Sequence, residues 1–379
     1  MYAGLLIHKE NGCCIAFTDH AGKKPLILWN SKAGRHIGTG VDSAYIDDNS
    51  TQIEVFQPGI HNVNVESGIT ALASKPPKVQ PVRLPLSELL KMAVADRIPE
   101  NLPFAVALSG GLDSSILAYI IEKQLCLRPE YYVIGDQLPD SVSSLMESLG
   151  IGQDRVKLIK PETDNNLRTL LIDTCRVIKS FNPSIISNGM ATMMLAKAVH
   201  EDGYRVLLGG EGADEFFCGY QAMYNGKHCP EDMRTALISS LHFTELRRVD
   251  LACSYHSVEA RCPFLDQRVT SYALGVSAEM HCSKVQKAGK LPLREAYKGL
   301  LPDVIINAAK EPFDITSGLQ LQVIKLLKAI DASERKALEI IFKGVMGSAN
   351  IFENDYFSKY PAFDDMIDRR DRKYQANII

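Results

Sequence analysis

Residues 104–121 read FAVALSGGLDSSILAYII, an apolar run that opens into Ser109, Gly110, Gly111, Leu112, Asp113, Ser114 and Ser115 and then into a second apolar segment. The pattern predicts a strand, a glycine loop and a helix start. The two glycines allow backbone conformations closed to other residues, so successive amide N–H groups can converge on an anion. The hydroxyls of Ser109, Ser114 and Ser115 add donors, and the positive end of the helix dipole faces the same point. Such a loop suits a phosphate. It lacks the lysine of GxxxxGK[ST] and carries Asp113 instead. A carboxylate there repels a bare phosphate, which implies a magnesium ion shared with the phosphate oxygens. The bland alternative is an ordinary strand-to-helix turn.

A second glycine turn, GGEGADEFFCGY at 209–220, opens the backbone at Gly209, Gly210 and Gly212 but adds the carboxylates Glu211, Asp214 and Glu215. By itself it also reads as a solvated acidic turn with a helix N-cap. Opposite the first loop, Asp214 and Asp113 could hold magnesium between them, the metal offsetting phosphate charge as it develops.

The elements that must position these turns follow from periodicity. After the first loop and its helix, 131–134 (YYVI) is a second strand, 141–149 a helix, 156–159 a third strand, 164–180 and 189–202 helices, and 205–208 (RVLL) a fourth strand running into Gly209. Met190, Met193 and Met194 sit at helical spacing and read as core filler, not as a sulfur ligand set. Strands alternating with helices predict an α/β fold, a doubly wound parallel sheet covered on both faces. Ligands of such sheets bind at the carboxyl ends of the strands, where both glycine turns fall. Upstream, 86–97 has one apolar helical face, 74–85 (SKPPKVQPVRLP) suits an extended linker, and short apolar stretches at 2–7, 14–17, 25–29, 52–56 and 60–63 read as β-hairpins.

Length and composition bound the rest. A chain of 379 residues is too long for one compact core and suits two domains. With 46% apolar and 23% charged residues it has an ordinary soluble composition, and a net charge of −3 gives no electrostatic case for nucleic acid or an acidic membrane. Nine cysteines without a CxxC form neither a disulfide framework nor a zinc site, so a reducing cytoplasm is the simplest location. No apolar run reaches the roughly 18 residues that span a bilayer. The opening Met1-Tyr2-Ala3-Gly4 lacks the basic start of a secretory signal and reads as a true start.

SGGLDSS, GGEGADEFFCGY and LRRVDLACSYHSVEARCPFLD (246–266) together resemble the synthetase domain of the asparagine synthetase family, as do 86–115 and KLPLREAYKGLLPDVIINAAKEPF at 290–313. SGGxDS alone occurs in several ATP pyrophosphatases, whereas GEGADE with VEARxPFLD is specific. The resemblance implies an adenine nucleotide alpha hydrolase-like, PP-loop fold with ATP and magnesium. A substrate carboxylate attacks the α-phosphorus of ATP, pyrophosphate leaves, and an amine converts the acyl-adenylate to an amide. It further implies pyrophosphate in the loop of Ser109, Gly110, Gly111, Asp113 and Ser114, magnesium on Asp113 and Asp214, and adenosine bordered by Leu108 and by Val133 to Gly135. Gly210 belongs to the same nucleotide-binding set.

By the same resemblance Lys310 neutralises charge on phosphate or the developing oxyanion, and Lys290 is a second phosphate contact. Taken alone, Lys310 reads as a solvated surface residue. Glu259 matches the glutamate that orients or deprotonates the incoming amine; its alternative is an ion pair with Arg261. Asp266 has the simpler reading of holding the PFLD turn. Where the β-lactam-forming branch places a tyrosine base, this chain has Glu211, as the asparagine-forming branch does.

Departures from the family pattern are informative. Members begin MCGI, with a cysteine nucleophile opening a longer glutaminase domain, whereas this chain begins Met1-Tyr2-Ala3 and its Cys13 and Cys14 are not terminal. Glutamine hydrolysis is not expected. FTDHAGKKPLILWN (17–30) and VFQPGIHNV (55–63) nevertheless resemble interior parts of that domain, so 1–73 reads as a β-rich remnant of it, the alternative being an unrelated β-appendage. Residues 74–85 are the linker and 86–379 the synthetase domain with a helical C-terminal part. Ala308 and Ala309 replace an arginine and a proline common beside the lysine, which bears on the acceptor more than on the ATP chemistry.

The expectation is therefore a cytoplasmic, ATP-dependent amide-forming ligase using ammonia, free or from a separate protein, with aspartate as default acceptor. A homodimer is compatible with it. The rivals are a relative that joins a carboxylate to a substrate amine, of β-lactam or isopeptide type, and a nucleotide-binding pseudoenzyme.

Overall fold

The computed structural model describes residues 2–8, 14–31, 34–39, 53–64, 68–73, 84–226, 228–309, 317–327, 330, 333–346 and 355–358. The N-terminal stretches form seven short strands: β1 (Ala3–Ile7), β2 (Cys14–Thr18), β3 (Ile27–Ser31), β4 (Gly34–Gly38), β5 (Ile53–Val55), β6 (Ile60–Asn64) and β7 (Gly68–Ala73). They pair antiparallel in two sheets, ordered β1-β2-β6-β7 and β4-β3-β5. β4 and β7 were not expected; GRHIG carries a single apolar side chain, Ile37, and is a strand through its pairing with β3, as β7 is through its pairing with β6. Most of the proline-rich linker, residues 74–83, lies outside the described residues.

The larger sheet contains β8 (Ala105–Ala107), β9 (Glu130–Ile134), β10 (Val156–Ile159), β11 (Val206–Leu208) and β12 (Glu259–Arg261), all parallel, in the order β10-β9-β8-β11-β12. Alternation of side chains divides its residues between two cores. Val106, Tyr131, Val133, Val206 and Leu208 face one core with the helices Leu86–Ala95, Leu112–Tyr119 and Asp140–Leu149. Ala105, Tyr132, Ile134, Leu207 and Ala260 face the other with Asp164–Ile178, Pro183–Glu201 and Glu245–Tyr255. The sheet is thus covered on both faces, as expected. β12 escaped the sequence reading because Glu-Ala-Arg has no apolar run, and only its pairing with β11 makes it a strand. The helix expected at 189–202 begins earlier, where Pro183 takes the first turn and the Asn182 side chain accepts from the Ser184 and Ile185 N–H groups.

The N-terminal unit is joined to the larger sheet by more than the linker. Ile27, Trp29 and Ile53 share the core of Ala105, Tyr132 and Leu207. Asp19 folds the 19–23 turn by accepting from the N–H groups of Ala21 (3.1 Å) and Lys23 (3.3 Å), and this turns Lys23 inward. The Lys23 ammonium, 1% exposed, meets Asp250 of the helix Glu245–Tyr255 at 2.7 Å, and Lys24 reaches the same oxygen at 2.6 Å. No helix among the described residues is long and apolar enough to cross a membrane.

Candidate active site

β8 and β11 are neighbours, yet the chain leaves β8 toward one side of the sheet and β11 toward the other, so the strand order reverses between them. In doubly wound sheets the crevice outside that reversal receives the ligand. The Ser109–Gly111 loop leaves β8 there and the Gly209–Gly212 turn leaves β11 beside it.

The first loop is pre-shaped by its own hydroxyls. Ser114 Oγ accepts from the Ser109 N–H (3.2 Å) and donates to the Gly111 carbonyl (3.1 Å), and Ser115 Oγ donates to that carbonyl at 2.8 Å. Gly110 has φ +74°, and a Cβ there would lie 2.3 Å from Ser141 Oγ, so the loop requires glycine at this position. Among the described residues no side chain caps the helix Leu112–Tyr119, whose first N–H groups stay available to an anion.

Asp113 and Asp214 converge. Lys290 Nζ lies 2.6 Å from Asp113 Oδ2 and 2.7 Å from Asp214 Oδ1, all three side chains being largely buried. Asp113 Oδ1 is buried and has no hydrogen-bond partner among the described residues. The sequence reading made Lys290 a phosphate contact and a metal the bridge between the carboxylates; here the lysine itself bridges them. Lys290 is held in a left-handed conformation (φ 60°) at the start of the helix Leu291–Tyr297, and its N–H donates to the Phe217 carbonyl at 3.0 Å. Among the described residues no group of three or more His, Cys, Asp and Glu side chains gathers as a metal cage.

Behind this cluster the second turn is acidic and buried. Burial and the neighbouring Asp214 charge push Glu215 up to about 7, against the hydrogen bond that Tyr220 Oη donates at 2.5 Å. Glu211 is half-buried, with Cys262 Sγ 4.0 Å from Oε2 and the buried Arg248 within its electrostatic reach. Leu108 is buried where its N–H donates to the Tyr132 carbonyl, and Gly135, following Val133 and Ile134, donates to the Ile159 carbonyl at 3.0 Å. These residues line the carboxyl ends of β8 and β9, beside the loop.

Glu259 is not brought to the two turns. Its register partner is Val206 at the start of β11, so it sits at the amino end of its strand, half-exposed, with its carboxylate 3.1 Å from Arg261. Asp266 caps the helix Gln267–Leu274 and pairs with Arg97 at 2.8 Å. Lys310 lies outside the described residues. The sequence reading missed Arg294, which donates to the carbonyls of Gly289 (2.8 Å) and Ala308 (2.9 Å) and so ties the Lys290 loop to the segment ahead of Lys310. Its only sequence signal was its place one turn after Lys290.

A family model described as asparagine synthase matches residues 85–239 and 230–346. The glutamine-hydrolyzing asparagine synthetase of Sandersonia aurantiaca is 24% identical over 94% of this chain and 70% of its own length. That of Asparagus officinalis is 26% identical over 87% and 59%, and asparagine synthetase B of Escherichia coli strain K12 is 26% identical over 66% and 47%. The chain thus spans 47% to 70% of the length of these relatives. The solved U34-tRNA thiolase NcsA from Methanococcus maripaludis aligns at 14% identity with a TM-score of 0.29, over 69% of this chain and 80% of that one. With both glycine turns, the Asp113–Asp214 pair and VEARCPFLD all inside the matched region, the chain belongs to the asparagine synthase family.

Proposed function

We propose that the chain is a magnesium- and ATP-dependent ligase that adenylates a carboxylate, with aspartate as default acceptor, and passes ammonia to it, releasing AMP and pyrophosphate. The observation that carries this reading is the convergence of Asp113 and Asp214 beside a donor-rich loop at the point where the strand order reverses. Two carboxylates, with no larger ligand cluster among the described residues, suit magnesium, which keeps waters and takes substrate phosphate oxygens for the rest of its shell. The unpartnered Asp113 Oδ1 fits that role. When bound, the ion would neutralise charge on the phosphates.

In this reading the N–H groups of the Ser109–Gly111 loop and the Ser109 and Ser114 hydroxyls hold the departing pyrophosphate. Lys290, displaced from between the carboxylates, follows the phosphate charge, and Lys310 adds a second cation. Leu108 and Val133 to Gly135 border the adenosine. Glu211, beside Arg248 and Cys262, is the residue we assign to accept a proton from the incoming amine. Glu259, at the amino end of β12, is held by Arg261.

Pyrophosphate release from ATP, measured with aspartate plus ammonium, aspartate plus glutamine, aspartate alone and a panel of other amino acids, tests the proposal. Ammonium-dependent asparagine formation supports it. Turnover only with a larger amine points to the substrate-amine branch, which the alanines at 308 and 309 would accommodate. Nucleotide binding without turnover makes the chain a pseudoenzyme, and glutamine-driven turnover overturns the nitrogen source.

A further inference from the structure

The backbone around Lys290 is held on every side. Its N–H donates to the Phe217 carbonyl at 3.0 Å, and its own carbonyl accepts from the Arg294 N–H at 3.0 Å. The carbonyl just before it, on Gly289, accepts from Arg294 Nε at 2.8 Å. Gly289 is pressed against the second turn, where a Cβ on it would lie 2.1 Å from the Cys218 carbonyl oxygen. The Lys290 side chain then crosses Gly219: a Cβ there would lie 2.4 Å from Lys290 Cε and 1.9 Å from Asp214 Oδ1.

Arg294 ties this loop to a third element. Its Nη2 donates to the Ala308 carbonyl at 2.9 Å and its Nη1 to the carbonyl of Ile306, the last residue of the helix Asp303–Ile306, where carbonyls lack partners within the helix. Ile305 and Ile306 share a core with Leu112 and Ile116, of the helix that carries Asp113. The three nitrogens of one guanidinium thus address three carbonyls on two strips of chain, and among the described residues Arg294 has no carboxylate partner. Capping the short helix accounts for two of these bonds. It does not account for Nε on Gly289, which belongs to the Lys290 loop.

We propose that Arg294 is a positioning residue for pyrophosphate departure: by fixing the Gly289–Lys290 backbone against the helix Asp303–Ile306, it lets the Lys290 ammonium pass from the two aspartates to the leaving group by side-chain rotation alone. This role rests on the proposed nucleotide site.

In the adenylation step a substrate carboxylate oxygen bonds to the α-phosphorus, the bond from that phosphorus to the bridging oxygen breaks, and pyrophosphate leaves with the electron pair. No proton moves. The charge that grows on the leaving group must therefore be met by cations already in place, and a cation is most effective where its support does not have to rearrange. Lys290 can supply this only if its backbone stays fixed while its side chain swings. Lysine at 294 keeps the positive charge but offers a single nitrogen in place of a planar fork, so it cannot span the carbonyls of Gly289, Ile306 and Ala308 together.

The test compares the full-length wild type with Arg294→Lys, Arg294→Gln, Lys290→Met and the double variant Arg294→Lys with Lys290→Met, all in magnesium. Pyrophosphate release is measured with the acceptor and amine that support the wild type, ATP affinity by calorimetry, and folding by thermal unfolding. Arg294→Lys is expected to release pyrophosphate about 100-fold more slowly, the scale of a misplacement near 1 Å. Its ATP affinity and KM for ATP stay within about threefold of wild type, because the lost interaction belongs to the departing group. Arg294→Gln loses at least as much turnover and decides the matter if Arg294→Lys does not fold. Since Arg294 acts through Lys290, adding Arg294→Lys to Lys290→Met slows release by no more than about twofold further. Wild-type turnover in Arg294→Lys overturns the proposal. So does a loss of ATP affinity as large as the loss of turnover, which marks a purely structural role, or a full further loss in the double variant. If the wild type itself binds no ATP and releases no pyrophosphate, the ligase reading falls and takes this role with it; an active wild type with an unaffected Arg294→Lys removes this role alone.

Discussion

Gly210 touches Asp113: a Cβ built on the glycine would lie 2.8 Å from the Cβ of the aspartate. The two glycine turns therefore meet directly, and the room that one lacks a side chain to fill is taken by the Cβ from which the other's carboxylate extends. Gly210→Ala forces Asp113 aside, at a cost of about 1–3 kcal/mol for an overpacked contact. Because the displaced atoms belong to the nucleotide site, ATP affinity falls by about tenfold or more while the chain stays folded. Calorimetric titration alongside thermal unfolding checks this, and wild-type ATP affinity in the variant would refute it.

Lys290 is the buried counter-charge of two carboxylates. Lys290→Met removes the ammonium that lies between Asp113 and Asp214, a loss of roughly 3–5 kcal/mol when no divalent cation is present. Magnesium chloride then replaces the missing charge, so the variant recovers stability on its addition while the wild type changes little. Thermal unfolding in EDTA and in magnesium distinguishes the cases; a variant that melts with the wild type in EDTA shows the lysine to be dispensable.

The strand–turn signals of β8 and β11 were legible because each is local: an apolar run, glycines, then hydroxyls or carboxylates within one turn. Covering of both sheet faces followed from the alternation of strands and helices. The bridge through Lys290 was not legible, because it depends on a left-handed residue, the Phe217 carbonyl and close contacts at Gly219 and Gly289, none of which leaves a pattern around KLPLREAY. Glu259 was legible as a motif residue, but only the register with Val206 reveals that it stands at the amino end of its strand. The Lys23–Asp250 pair joins residues 227 positions apart and no spacing rule reaches that far.

Asp266 gives the fold an acid-sensitive contact. Burial opposes its ionisation, but hydrogen bonds from Arg268 and Arg97 overcome this and hold its carboxyl well below the ordinary value of 3.8. Its folded pKa is depressed, so the unfolded chain takes up the proton first; the stabilisation is complete above the unfolded value and lost as pH falls toward the folded one. Asp266→Asn is expected to cost roughly 2–3 kcal/mol at pH 7, the gap to wild type narrowing below about pH 4. Denaturant unfolding at a series of pH values reads this out, and a gap independent of pH would mean that charge is not the origin of the effect.

Asp250 serves two lysines, and that asymmetry makes its contact with the N-terminal unit testable. Lys23 is sealed against it and Lys24 is about one-third exposed on the same oxygen. Asp250→Asn leaves the Lys23 ammonium buried without a counter-charge, which costs about 3–5 kcal/mol. Lys23→Met removes the buried cation and leaves Asp250 paired with Lys24, so its cost is smaller, about 1–2 kcal/mol. The combined variant Lys23→Met with Asp250→Leu replaces the buried pair by apolar volume and recovers most of the loss seen in Asp250→Asn. Because the same ion pair anchors the 19–23 turn, the weakened variants also expose the N-terminal strands to protease before the parallel sheet is cut. Equal losses in the two single variants, or a double variant no better than Asp250→Asn, would place the anchoring in the apolar contacts of Ile27, Trp29 and Ile53 instead.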